Sequence, residues 1–154
     1  MNSVTQWLQE YGVSHRNPVN KLIHRICVPV IVFSLLGLLW LVPFPDIHYS
    51  VFKLNICSLF LLLSLAYYFY LSACLAIGML IYCAIMYVAL YWLAGSTDHL
   101  LQIYTALFII AWIGQFIGHS IEGKRPSFFR DIQFLMIGPL WLLSAVYRKL
   151  NIRY

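Results

Sequence analysis

Residues 112–126 read WIGQFIGHSIEGKRP, the end of an apolar run that carries Gln115, His119 and Glu122 at spacings of four and three. On a helix those three side chains share one face. Ionisable groups at the edge of a membrane segment are costly unless they are paired or used. The fold follows from whether this stretch leaves a bilayer, and the function from what meets its polar stripe.

Composition answers the first point. The chain has 154 residues, of which 62% are hydrophobic and 10% charged, with a mean hydropathy of +0.81. One domain of this length cannot bury so much apolar surface in a soluble core. The reading is an all-α polytopic membrane bundle forming one integral membrane domain over 1–154. Residues 1–25 are an amphipathic, basic segment with Asn17 and Pro18 as helix cap and first helical residue. They show no secretory signal pattern. Spans are expected at about 26–42, with a start near Lys21, then at 51–70, 72–94 and 100–118. The turn between the second and third falls at 70–73. The apolar segment 132–147 contains Gly138-Pro139 and is expected to be a re-entrant or interfacial hairpin, or else a fifth span.

Four spans place nine of the ten basic residues on one side, leaving Lys53 near the other. By the positive-inside tendency that side is the cytoplasm, with both termini on it. Short loops and the lack of a sorting signal favour a bacterial plasma membrane over an endoplasmic reticulum. The net charge of +5 is satisfied by anionic lipid head groups and requires no nucleic acid. The four cysteines, Cys27, Cys57, Cys74 and Cys83, lie scattered in apolar stretches, which argues against disulfides or a structural zinc site. They read as small buried hydrophobes.

The topology sorts the five histidines. His15 and His24 precede or begin the first span and His119 ends the fourth, so these three can converge. His48 and His99 fall in the opposite loops, about a membrane thickness away. Glu122, one turn beyond His119, completes a candidate ligand set, since imidazole and carboxylate suit iron or zinc. Asn20 shares a helix face with His24 and, with Asn17 and Gln115, is a candidate to orient the ligands. The plainer reading has interfacial histidines and an ion pair of Glu122 with Lys124 or Arg125. Serine-hydrolase and nucleotide-binding motifs are absent. Two other classes stay open: a proton or ion relay in a transporter, and a non-catalytic membrane scaffold. A relay would need ionisable groups in the middle of the spans, where none occurs.

Two blocks resemble the Mpo-type 2-hydroxy fatty acid dioxygenases, small multi-pass membrane proteins formerly grouped as a domain of unknown function. The first is YGVSHRNPVNKLIHRICVP, with Tyr11, His15, Asn17, Asn20, His24 and Pro29. The second is the stretch quoted above, with Trp112, Gln115, Gly118, His119, Glu122 and Pro126, followed by Pro139. Cys27 stands where the family has a glycine, Ser127 where alanine is usual, and Ala145 near a position that is often acidic. The resemblance implies an iron(II) enzyme that shortens 2-hydroxy fatty acids by one carbon, consuming dioxygen and releasing carbon dioxide. On it, His15, His24 and His119 hold Fe(2+), Glu122 is the family's acidic residue, and Lys124 or Arg125 meets the substrate carboxylate.

Overall fold

The computed structural model describes residues 4–13, 15–44, 47–49, 52–123 and 128–154. They form α1 (Val4–Val13), α2 (Pro18–Trp40), a hairpin of β1 (Ile47–Tyr49) and β2 (Phe52–Leu54), then α3 (Ile56–Leu71), α4 (Ala73–Ala94), α5 (Leu100–Glu122) and α6 (Phe128–Lys149).

Local chemistry sets the helix ends. Asn17 has extended backbone and accepts a 2.8 Å hydrogen bond from Val19 N, with Pro18 next in the first turn. This is the expected cap, and it starts α2 well before the apolar run expected at 26–42. The second apolar segment begins later than hydropathy suggested. Ile47 pairs with Leu54 and Tyr49 with Phe52 in the antiparallel hairpin, so part of the expected 51–70 span is strand. Asn55 then opens α3 through a capping box: its side chain accepts from Ser58 N, and Ser58 Oγ accepts from Asn55 N, each at 2.9 Å. An apolar run hides such a boundary, because Val and Phe serve a strand as well as a span. The expected turn at 70–73 is found: Ser72 ends α3 and caps α4.

The fourth span is longer than the expected 100–118. Helix α5 continues to Glu122 and stops where Gly123 takes a left-handed φ of 69°. His119 and Glu122 are therefore truly helical and share a face. Segment 132–147 also departs from the expected hairpin. It lies within one continuous helix, α6, which runs through Pro139. Proline removes a ladder donor and opens the turn before it. The Tyr68 hydroxyl donates a 2.8 Å bond to the Met136 carbonyl in that turn, an outside donor of the kind that lets proline persist in a membrane helix.

Helices α2, α4 and α5 have 23, 22 and 23 residues and are long and apolar enough to cross a bilayer, while α3 has 16. Apolar side chains also cover the outside: Trp92 is 73% exposed, Ile110 65% and Leu63 64%. Such a surface needs a lipid solvent, and the protein is an integral membrane protein. Inside, α1 docks on α6 through Leu8, Tyr11, Ile137 and Leu140. The described cysteines are free thiols, with Cys57 and Cys83 buried, as their apolar settings indicated.

The pair that positions the site is α2 with α5. A side-chain carbon at Gly118 would fall on Asn20 Oδ1, one at Gly114 would lie 2.6 Å from Cys27 Sγ, and one at Gly37 would run into the Tyr104 ring. Later positions on α2 face earlier ones on α5, so the two helices run antiparallel. The small residues bring the backbones close. This register sets His24 beside the end of α5 that carries His119. Cys27 fills space left by Gly114 across the seam.

Candidate metal centre

Three elements bring one histidine each. His24 lies on α2, His119 on the last turn of α5, and His15 in the link between α1 and α2. His15 and His24 are buried, and His119 is half-buried. Ring centroids are 4.2 Å apart for His15 and His24, 5.1 Å for His24 and His119, and 5.6 Å for His15 and His119. One nitrogen from each lies within 4.8 Å of the others. Metal–nitrogen bonds are near 2.1 Å, so one ion fits after side-chain movement of less than about 1 Å.

The same device orients two of the rings. His15 Nδ1 lies 2.6 Å from the Tyr11 carbonyl, and His24 Nδ1 lies 3.0 Å from the Asn20 carbonyl, each four residues back. A carbonyl only accepts, so both Nδ1 atoms carry hydrogen and donate. The lone pair of each ring is thereby on Nε2, the tautomer that ligates a metal. Tyr11 also stacks on His15 at 4.3 Å and 12°, and Trp141 of α6 lies 5.5 Å from the same ring. These groups shield the triad on the α1–α6 side. Clustering three imidazoles, two of them buried, has little structural benefit by itself, but it gives three nitrogen donors for a divalent ion.

Glu122 lies outside the three-histidine group. Its carboxylate reaches across to the start of α2, accepting from Arg16 N at 2.7 Å, Asn17 N at 3.0 Å and Asn20 Nδ2 at 3.0 Å. A carboxylate there satisfies helix donors without a partner in the helix and complements the positive end of its dipole. Glu122 thus ties the last turn of α5 to the first of α2, which holds His119 and His24 at one level. Of the residues expected to orient ligands, Asn20 does so through its carbonyl, while its fully buried side chain binds Glu122. Asn17 caps α2 and binds Glu122 through its amide. Gln115 is buried one turn before His119. Lys124 and Arg125 lie outside the described residues. His99 precedes α5 and His48 sits in β1, both at the far ends of the helices from the triad, as expected.

Sequence reasoning missed the Tyr11 and Asn20 carbonyls, because backbone acceptors carry no residue signature; the spacing of four was the available signal. It also missed Trp141, which nothing in its apolar neighbourhood distinguishes.

A helical membrane protein with a histidine triad where the start of its second helix meets the end of its fifth is the class these features define. Comparison with known proteins makes it specific: residues 1–150 match the family model described as "2-hydroxy-palmitic acid dioxygenase Mpo1-like", and the chain belongs to that family. It is 32% identical over 144 residues to the 2-hydroxy-palmitic acid dioxygenase MPO1 of Saccharomyces cerevisiae, covering 92% of this chain and 78% of the yeast protein. No solved structure matches.

Proposed function

We propose that the chain is an iron(II)-dependent dioxygenase that shortens 2-hydroxy fatty acids by one carbon at the His15–His24–His119 triad. The observation that carries this reading is the paired Nδ1–carbonyl hydrogen bonds of His15 and His24, which give both rings the ligating tautomer beside His119. Family membership supplies the reaction class. The chemistry balances: R–CH(OH)–COOH and O2 give R–COOH, CO2 and H2O. The electrons lost by the acid equal those that dioxygen accepts, so no separate reductant is consumed.

When bound, Fe(2+) supplies open coordination positions at which a 2-hydroxy acid's carboxylate and hydroxyl oxygens and dioxygen can meet. The protein's own residues have distinct tasks. Tyr11 and Asn20 fix ring orientation through their carbonyls. Glu122 is a positioning residue that locks α5 to α2, in place of the direct ligand expected from sequence. Tyr11 and Trp141 exclude water from one side of His15. Lys124 and Arg125, two and three residues past Glu122, are the candidate partners for the substrate carboxylate. The triad lies at the cytoplasmic face, where an acid head group meets water while its tail stays in an apolar setting; α3 serves as a fourth crossing, and α6 lies toward that same face.

Dioxygen uptake by protein loaded with iron and given 2-hydroxypalmitic acid tests the assignment. Pentadecanoic acid and carbon dioxide should form in equal amounts, one per dioxygen consumed. Dioxygen-independent loss of the acid, or no turnover by iron-replete protein, would overturn it.

A further inference from the structure

Gln115 is a polar group in the α2–α5 seam that the packing leaves unused. It is only 6% exposed. Each of the other buried polar side chains among the described residues holds at least one hydrogen bond, as Ser34 Oγ does with the Val30 carbonyl at 2.7 Å and Ser144 Oγ with the Trp141 carbonyl at 2.7 Å. For the Gln115 carboxamide the described residues supply no such partner. An amide buried without a partner destabilises a fold, so its presence in an apolar seam requires a reason outside the fold itself.

The seam fixes where that amide lies. Helix α5 packs chiefly on α2, so a side chain buried on α5 is buried against α2. A carbon at Gly114 would lie 2.6 Å from Cys27 Sγ and 3.9 Å from Ile23 Cγ2, and one at Gly118 would lie 3.4 Å from the same Ile23 carbon. Gln115 stands between those glycines and therefore opposite the turn of α2 from Ile23 to Cys27, which contains His24. On α5 it precedes His119 by four residues, about 6 Å along the axis, and shares its face. It thus forms the floor of the triad, on the side toward the middle of the bilayer. His119 above it is only half-buried, so packing does not seal the space over this floor. His15 and His24 already take their orienting bonds from the Tyr11 and Asn20 carbonyls, and neither ring requires Gln115.

We propose that Gln115 is the residue that recognises the 2-hydroxyl group of the substrate; the inference rests on the proposed activity. A carboxamide presents an acceptor and a donor group side by side. A 2-hydroxy carboxylate presents the matching pair, a hydroxyl hydrogen beside a carboxylate oxygen. Gln115 Oε1 accepts the hydroxyl hydrogen and Nε2 donates to the neighbouring carboxylate oxygen, which leaves lone pairs of both oxygens for the histidine side. No bond forms or breaks at Gln115; its contribution is orientation and choice. An ordinary fatty acid of the same length has no hydroxyl and leaves Oε1 buried and unpaired, and a site built around a substrate hydroxyl rejects the analogue that lacks it for that reason. Gln115 is then a substrate contact, in place of the ligand-orienting residue expected from sequence.

Equilibrium dialysis of iron-loaded protein against 2-hydroxypalmitic and palmitic acids, without oxygen, reads this contact without turnover. Gln115→Met keeps the length of the side chain and removes the amide, and Gln115→Leu serves as a second variant. Each should bind 2-hydroxypalmitic acid about tenfold or more weakly than the parent while binding palmitic acid as the parent does. Iron affinity should be unchanged, and the melting temperature should equal or exceed that of the parent, because an unpaired buried amide has been removed. A structural or ring-orienting role requires the opposite: a lower melting temperature or lost iron, with both acids affected alike. That pattern, or an unchanged preference between the two acids, would overturn the proposal. If the preference is lost in the variants but the parent, given oxygen, does not turn over 2-hydroxypalmitic acid, the head-group contact stands and the activity assigned to the triad falls.

Discussion

Replacing Gly118 with alanine tests the packing that joins the two halves of the centre. Alanine is the better helix former by about 1 kcal/mol, so an open site would gain stability. At Gly118 the added carbon falls on Asn20 Oδ1 and lies 3.4 Å from Ile23 Cγ2. Asn20 has no room to yield: it is fully buried, and its amide is held by Glu122 at 3.0 Å. Overpacking of this kind costs about 1–3 kcal/mol. After the helix-propensity gain, a net loss of up to about 2 kcal/mol remains, a factor of up to roughly 30 in the folded-to-unfolded ratio. At Gly12 the new carbon would meet only Trp141 Nε1 at 3.5 Å, an ordinary contact. Thermal unfolding in detergent, followed by tryptophan fluorescence, should therefore place Gly118→Ala several degrees below the parent and Gly12→Ala at or above it. Because displaced Asn20 also carries the carbonyl that orients His24, iron affinity should fall about tenfold or more in Gly118→Ala alone. Equal melting temperatures with unchanged iron affinity would refute the close α2–α5 seam.

Further expectations concern single residues and topology. Glu122→Gln should weaken iron binding by about 10- to 100-fold in equilibrium dialysis, as loss of an orienting group does. Tyr11→Ala removes the ring stacked on His15, worth about 0.5–1.5 kcal/mol, and should raise the iron dissociation constant up to about tenfold in the same assay. With the native cysteines replaced, Asp98→Cys and Lys149→Cys should react with an impermeant maleimide from opposite membrane faces, whereas Pro18→Cys and Ser120→Cys, both exposed, should share one. Labelling of the latter pair from opposite faces would contradict the topology.

Much of this was legible in the sequence because the membrane makes topology depend on hydropathy and the placement of basic residues. The Asn17-Pro18 cap, the turn at Ser72 and the convergence of His15, His24 and His119 follow from local signals and the up-and-down order of the helices. Glu122 shows the limit. Its spacing from His119 fits a ligand, and only the fold reveals that the start of α2 presents three donors to it. The hairpin before α3 and the continuity of α6 through Pro139 were hidden for a related reason: apolar residues satisfy strand, helix and lipid alike. Which one forms was decided by Asn55 in the first case and by the donor from Tyr68 in the second. The role of Trp141 rests on tertiary contact alone, since it lies on α6 and has no sequence link to His15.

Metal analysis of protein purified without oxygen, beside His119→Ala and His99→Ala, tests the central claim most directly. About one iron per chain in the parent and His99→Ala, lost in His119→Ala, is the result expected of a triad-held ion. Iron retained in His119→Ala, or absent from iron-supplemented parent protein, would contradict the assignment of His15, His24 and His119 as the metal centre.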